Sequence, residues 1–209
     1  MEKNMEKTPK NDFKYWFKNV FWFHYGKLAI IGVIALAVVI WLTADALKKE
    51  EYDLNVAIIT EDGLAQSDTK KLADLLGEAA GDVNGDGKTL VNIMTVNLGD
   101  QQNLETSQYQ MLLYMTLPEY TVFMMNDHYS ALYGQKDGTS QPLADYGIET
   151  DDEIPTRIDL SNKAVLKNMG EREYFVSLSD WTVDGKGSKE MTDAAVRAIK
   201  ALADSPDAD

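Results

Sequence analysis

The stretch DLNVAIIT, residues 53–60, is rich in β-branched side chains and apolar over most of its length. A short run of this kind is typical of a strand in a sheet that is covered on both faces. YTVFMM, residues 120–125, has the same character, and TLVNIMTVN, residues 89–97, predicts another strand with largely alternating apolar positions. These three segments predict the sheet of an α/β domain.

Helical segments separate the three strands. A helix capped by Ser67 or Asp68 is expected to run to about Ala80, and residues 101–117 predict a second helix. We expect the Met and Tyr residues of segment 109–125 to lie in the core. The buried face of the second helix is predicted to contain Leu104, Gln108, Met111, Leu112 and Met115.

The remainder of the chain continues the alternation. After an irregular stretch, residues 174–178 predict a strand, and a final helix is expected to end near Ala203. The order β-α-β-α-β-irregular-β-α predicts a three-layer α/β domain with a mostly parallel sheet. We assign residues 53–203 to this domain and expect residues 204–209 to form a disordered tail.

An apolar segment precedes the domain. LAIIGVIALAVVIWLTA, residues 28–44, is uncharged, and about 17–20 helical residues cross a bilayer core. We therefore predict a transmembrane helix over residues 28–47, followed by a linker at 48–52. Six lysines in residues 1–27 place this segment in the cytoplasm and the C-terminal domain outside the plasma membrane. The alternative is a cleavable signal peptide, but the apolar run is longer than the usual ~7–15 residues.

Aromatic and lysine side chains alternate just before this helix, in FKYWFKNVFWFHY, residues 13–25. Aromatic rings beside lysines occur both in membrane interfaces and in nucleic-acid binders. The adjacent apolar helix favours the interface, so the lipid bilayer is the partner that we expect for this end of the chain.

Composition excludes several classes of function. Residues 51–209 carry twelve Lys/Arg against twenty-nine Asp/Glu, and this charge repels nucleic-acid phosphates, so we expect no nucleic-acid partner for the domain. The chain has no cysteine, which excludes disulfides, thiolate catalysis and cysteine zinc sites.

The most specific local motif is DVNGDG, residues 82–87. Calcium prefers hard oxygen ligands, and Asp82, Asn84 and Asp86 occupy the first, third and fifth positions of a calcium-type loop. The backbone carbonyl of Lys88 is a further candidate ligand at the seventh position. The later ligand positions hold Leu90 and Ile93, so the motif predicts weak calcium binding, and its alternative is an ordinary turn stabilised by Asn, Asp and Gly.

Polar residues also follow the ends of the predicted strands. In a parallel sheet, ligands bind outside the carboxyl ends of the strands, so these side chains predict a shallow acidic site for a small ligand. The alternative is ordinary capping of loops and helices. The candidate ligand-binding residues are Glu61, Asp62, Asp100, Asn126, Asp127 and His128.

Motifs of common catalytic sites are missing from the sequence. His128 is the only histidine after the apolar helix, which excludes a multi-histidine metal site. The sequence has no P-loop, no G-x-G-x-x-G and no nucleophile elbow.

Three stretches carry a resemblance: DLNVAIIT, the DVNGDG loop, and YTVFMMNDHYSALYGQKDGTSQPLADYGI, residues 120–148. Over residues 52–148 the chain resembles one lobe of an extracellular solute-binding protein of the sugar-binding type. As a whole it resembles uncharacterised single-pass membrane proteins of Gram-positive bacteria. The resemblance implies a binding role, and residues 51–209 suffice for one lobe only.

These observations lead to three functional hypotheses. The first is a membrane-anchored extracytoplasmic binding or interaction module without catalytic activity, stabilised by calcium, whose partner is a protein or a small ligand. The second is an envelope or transport component that retains a solute-binding lobe, and the third is a carboxylate-based hydrolase. An exposed apolar patch would favour the first, whereas a deep pocket with two acids about 5–10 Å apart would favour the third.

Overall fold

The computed structural model describes residues 16–17, 21–46, 51–62, 64, 66–133, 140–150, 153–167, 169 and 173–208. The chain divides into two compact units, Met1–Glu50 and Glu51–Asp209. Each unit has its own architecture.

The N-terminal unit contains one long helix, α1, Trp22–Ala46. Its segment Trp22–Thr43 is the one helix in the described part of the chain that is long and apolar enough to cross a membrane, and only 6% of its apolar window is buried. An apolar surface exposed all round a helix is stabilised by lipid rather than by water. A candidate membrane helix near the N-terminus is thus confirmed, and α1 begins six residues before Leu28.

Aromatic rings pack against one another just before α1 and in its first turn. The ring centroids of Phe17 and Phe21 lie 5.2 Å apart, and those of Phe21 and Tyr25 lie 5.9 Å apart. The spacing of four residues places these rings on one face. Lys14 and Lys18 of the predicted interfacial stretch lie outside the described residues.

The second unit is built on a five-stranded sheet. The strands are β1 Leu54–Thr60, β2 Val91–Asn97, β3 Tyr120–Met125, β4 Arg157–Asp159 and β5 Phe175–Leu178. Their order in the sheet is β2-β1-β3-β5-β4. The first three strands are parallel, whereas β5 pairs antiparallel with both β3 and β4.

The fold is therefore a mixed α/β fold. Two of its four strand pairings are parallel and two are antiparallel, so the sheet is not the mostly parallel one that we expected. A parallel neighbour needs a crossover of a dozen or more residues, usually a helix. Residues 160–167, which follow β4, form turns instead, and the chain comes back alongside β4 as the antiparallel β5.

Helices cover both faces of the sheet. Val56 and Ile58 of β1 enter one apolar core, and Ala57 and Ile59 enter the other, so the predicted covering of both faces is confirmed. These helices are α2 Gln66–Ala80, α3 Leu104–Thr116, α4 Asp127–Tyr133 and α5 Lys189–Ala203. The first core is closed by α2 and α5, and the second by α3 and α4.

Helix α3 differs from its predicted packing. Met111 and Met115 are buried, as expected, but Leu112 is 50% exposed and Tyr109 is 67% exposed. Gln108 is exposed as well. The sequence is apolar on two sides of this helix, and only the side with the methionines reaches the sheet.

The C-terminal residues 204–208, for which we expected a disordered tail, make contacts with residues 162–164. The Ala164 amide donates to the Pro206 carbonyl over 2.9 Å, and the Ala208 amide donates to the Asn162 carbonyl over 2.7 Å. Lys163 Nζ lies 2.8 Å from Asp207 Oδ1. This ion pair and the two backbone bonds hold the segment against residues 162–164. Asp209 lies outside the described residues.

Candidate functional site

The DVNGDG loop joins the end of α2 to β2, and its first carboxylate is turned into the loop. Asp82 Oδ1 accepts hydrogen bonds from the amides of Gly85 (2.7 Å) and Asp86 (3.2 Å), and Oδ2 accepts one from Gly87 (2.9 Å). Gly85 and Gly87 have φ values of 76° and 81°, which side chains with a Cβ rarely adopt. The loop is thus a tight turn around one carboxylate.

The other two candidate ligands are turned inward as well. Asn84 Oδ1 accepts from the Asp86 amide (2.9 Å), and Asp86 Oδ1 accepts from the Lys88 amide (2.8 Å). Within the described ranges, no group of three or more Asp, Glu, His or Cys side chains is placed to hold a metal ion. Each carboxylate oxygen has a second lone pair, so these bonds are compatible with both a turn and a weak cation site. Calcium binding stays a prediction.

Asp53, directly before β1, holds this loop in place through hydrogen bonds, and the sequence predicted no role for it. Its side chain is buried, with 1% exposure. Oδ1 accepts from the amides of Val83 (2.7 Å) and Asn84 (3.1 Å), and Oδ2 accepts from the Leu90 amide (2.7 Å). A buried carboxylate is tolerated only when such donors replace its hydration. The signal in the sequence is an acid directly before an apolar strand.

The carboxyl ends of the three parallel strands meet at one edge of the sheet. Thr60 pairs with Asn97, and Ile59 pairs with Met125. Glu61 and Asp62 follow β1 at this edge and are exposed. The predicted juxtaposition of strand ends is therefore present.

Two of the candidate side chains at this edge accept hydrogen bonds in the segments that lead into α3 and α4. Asp100 Oδ1 accepts from the Gln102 amide (3.0 Å), and Oδ2 accepts from Asn103 Nδ2 (2.8 Å). The Asn103 bond, followed by the Gln102 bond, lowers the pKa of Asp100. Asn126 Oδ1 accepts from the Tyr129 amide (3.0 Å) in the first turn of α4. The Asn126 contact caps α4 and the Asp100 contacts stabilise the turn before α3, as the alternative interpretation of loop and helix capping expects.

Asp127 binds an arginine that sequence reasoning did not single out. Its Oδ1 lies 2.8 Å from Arg157 Nη1, and the Arg157 side chain is 8% exposed. The guanidinium lies 3.9 Å from the centroid of the Phe175 ring. His128 is exposed and packs against the Tyr129 ring at 5.0 Å. Glu61, Asp62, Asp127 and His128 are the exposed candidates at this edge, and ligand binding there stays a prediction.

A cavity of about 590 Å³ lies elsewhere, beside the end of β4. Asp159 Oδ1 at its wall accepts from the Ser161 amide (2.9 Å), and Thr150 Oγ1 donates to the Arg157 carbonyl (2.8 Å). None of the ten candidate residues from the sequence lines it. Its lining is Glu149, Thr150, Ile158, Asp159, Leu160, Ser161, Asn162, Lys163 and Ala203.

A hydrogen-bonded cluster around Asp180 joins three segments. Tyr146 donates its hydroxyl to Asp180 Oδ2 (2.6 Å), while the Thr182 amide (2.8 Å) and Thr192 Oγ1 (3.2 Å) donate to Oδ1. Burial alone would raise the pKa of Asp180, but the bonds from Thr182, Tyr146 and Thr192 together lower it. Burial, then the bond to Asp180, raises the pKa of Tyr146 far above its ordinary range. The cluster has a structural role.

An apolar stripe lies on the outer face of α3. It consists of Tyr109, Leu112 and Leu113, which are 67%, 50% and 40% exposed. The spacing of three and four residues places them on one side of the helix, opposite Met111 and Met115. The exposed carboxylates Glu105 and Glu119 flank the stripe in sequence. From the sequence, Tyr109 and Leu112 were expected in the core, so their exposure corrects that expectation.

Comparisons with known proteins gave no match for this chain. The chain matches no protein-family model, no curated protein and no solved structure. Its function therefore has to follow from the geometry of its own residues.

Proposed function

We propose that this protein is a membrane-anchored extracytoplasmic interaction module without catalytic activity. Helix α1 crosses the bilayer, and the α/β unit binds a protein partner through the stripe Tyr109, Leu112 and Leu113. The observation that carries the proposal is the exposure of these three side chains on one helix face.

Apolar side chains clustered on a surface favour a partner for a simple reason. Each Å² of apolar surface removed from water contributes about 25 cal/mol, so covering the stripe is favourable. Contiguous apolar patches with a polar rim mark interaction sites more often than scattered single residues do. Tyrosine is also enriched among the residues that contribute most to binding at interfaces.

The proposed orientation follows from the charges. Six lysines precede the apolar core of α1, and the positive-inside rule assigns them to the cytoplasm. The α/β unit then faces the exterior. Its net charge of −17 keeps it soluble and away from anionic headgroups.

The test is a photo-crosslinking amino acid placed at Leu112 of the full-length protein in living cells. The matched control carries the same amino acid at Asp193, an exposed position on α5. We expect a covalent adduct with another protein from position 112 only. No adduct from position 112, or equal adducts from both positions, would contradict the proposal.

A second candidate rests on the 590 Å³ cavity. A polar cavity of this volume suits a small hydroxylated ligand, as a transport or envelope component with a solute-binding lobe would need. A panel of sugars that raises the Tm of the wild-type protein, but not of Asn162→Leu, would support it. The cavity is lined by two acids, Glu149 and Asp159, but both are exposed, and a hydrolytic acid needs burial to keep its proton near neutral pH. Hydrolysis is therefore the least favoured function.

A further inference from the structure

We infer that the partner presents a helix whose apolar face is flanked at both ends by lysine or arginine. This inference rests on the proposed function, because it specifies what docks on the stripe. It follows from the spacing of the stripe and from the charges around it.

The spacing along α3 is that of a helix-to-helix seam. Glu105, Tyr109, Leu112 and Thr116 follow one another at intervals of four, three and four residues, and all four are exposed. This alternation of four and three residues is the contact spacing of two packed helices. The two inner positions are apolar and the two outer ones are polar, so the apolar contact is short and its ends are polar.

Along the chain, the charged residues on either side of the seam are all acidic. Between Lys88 and Lys136 the sequence contains no lysine or arginine, and its acids are Asp100, Glu105, Glu119 and Asp127. Glu105 lies in the first turn of α3, and Glu119 lies three residues beyond its last residue. A partner with acids at these ends would meet like charges, whereas lysine or arginine would gain from each of them.

A second copy of this chain fits the seam poorly. In an antiparallel, two-fold symmetric pairing, Tyr109 would face Leu112 of the other copy, and Glu105 would face Thr116, close to Glu119. Each end of the pair would therefore hold carboxylates from both copies. Two units of net charge −17 also repel each other at long range.

An anionic lipid surface is disfavoured by the same carboxylates. Amphipathic helices that insert into membranes carry lysine and arginine beside their apolar face. The exposed face of α3 has Glu105 there instead. A protein helix of opposite charge is therefore the occupant that the observations favour.

The experiment measures binding of two synthetic helical peptides to the full-length protein in phosphatidylcholine nanodiscs by fluorescence anisotropy. One peptide has a leucine face with lysine at both ends, and the other replaces each lysine by glutamate. We expect the lysine peptide to bind at least tenfold more tightly. Leu112→Ser is expected to weaken its binding about tenfold, and Glu105→Gln combined with Glu119→Gln several-fold.

Two matched variants separate the stripe from general effects. Leu132→Ser changes another leucine with 50% exposure, on α4, and Glu190→Gln removes an exposed charge on α5, so both should leave binding unchanged. Circular dichroism of Leu112→Ser checks that the fold persists.

Binding of neither peptide, equal binding of both, or binding that Leu112→Ser leaves unchanged overturns the inference. Dimerisation of the wild-type protein that Leu112→Ser abolishes also overturns it, in favour of a second copy. If the crosslink at Leu112 forms in cells while the peptides fail, the proposed function stands and only the charge and helix of the partner are wrong.

Discussion

A single buried carboxylate connects the first strand to the loop before β2. Asp53 receives three backbone amides, two from the loop and one from Leu90, and it is closed off from water. Removing an acceptor from such a position leaves buried donors unsatisfied, which costs about 1–3 kcal/mol or more for a charged group. The start of the sheet and the loop are therefore energetically coupled through one side chain.

We expect Asp53→Asn to lower the free energy of unfolding by about 2–4 kcal/mol, since the amide offers one acceptor oxygen where the carboxylate offers two. Thermal unfolding of the full-length protein in detergent micelles, followed by near-UV circular dichroism, measures the change. Asp193→Asn, at an exposed helix position, is the control and should change the Tm little. A Tm of Asp53→Asn equal to the wild-type value would show that water replaces the lost acceptor.

Calcium at millimolar concentration is expected to raise the Tm of the wild-type protein, because Asp82, Asn84 and Asp86 present oxygens in one small loop. At a concentration ten times the Kd, the gain is about 1.4 kcal/mol. Asp82→Asn should remove it. Magnesium serves as the control, because any divalent ion screens the charge of −17. An equal rise with both ions, or no rise, would mean that the loop is only a turn.

The residue types in the sequence predicted only part of the candidate site. Strand ends follow from the βα alternation, so acids at the right edge of the sheet could be predicted. The direction of their oxygens could not be predicted, because Asp100 and Asn126 have amide donors within one helical turn. Such local bonds compete with any ligand for the same oxygens. Arg157 was missed for the opposite reason: it comes from a strand 30 positions away in the sequence from its partner Asp127.

At the scale of elements, Asp180 joins the 3-10 turn Leu143–Tyr146 to the start of α5. Its neighbours donate hydrogen bonds to the ionised carboxylate, so its pKa is lowered on folding. A group of this kind contributes stability above its unfolded pKa and loses it as the pH falls through the folded pKa. The contribution of Asp180 to stability should therefore be constant near neutral pH and be lost as the pH falls below 3.8, the ordinary pKa of an aspartate.

We expect Asp180→Asn to lower the free energy of unfolding at pH 7 by about 1–3 kcal/mol. The difference from wild type should shrink as the pH is lowered from 4 towards 2, because protonation removes the same charge in the wild-type protein. Urea unfolding across this pH range measures it, and Asp193→Asn corrects for the general loss of negative charge. A difference that is independent of pH would mean that the carboxylate charge contributes nothing to the cluster.

The elements themselves divide into those with local signals and those without. β1 and β3 were predictable because every position except Asn55 is apolar, aromatic or β-branched, and both faces are buried. The direction of β5 was not predictable, since it depends on the turns after β4 rather than on the sequence of β5. Likewise, α3 is apolar on both sides, so periodicity could not tell which side meets the sheet, and Tyr109 and Leu112 were expected in the core.

At the scale of the whole molecule, the two units differ in what stabilises them. The α/β unit has two apolar cores of its own, whereas the apolar side chains of α1 are exposed. The charge is divided in the same way: residues 1–50 carry a net +3 and residues 51–209 a net −17. An exposed helix that is long and apolar enough to cross a membrane thus precedes a unit with cores of its own and a strongly charged composition.

The orientation of the chain is testable because it has no cysteine. A single cysteine introduced as Lys189→Cys, exposed at the start of α5, is expected to react with a membrane-impermeant maleimide on intact cells. Lys7→Cys, before the apolar helix, should react only after permeabilisation, because the lysines hold that end on the cytoplasmic side. The cysteine-free wild type gives the background. Labelling of Lys7→Cys alone on intact cells would reverse the topology, and it would place the stripe on α3 among cytoplasmic partners.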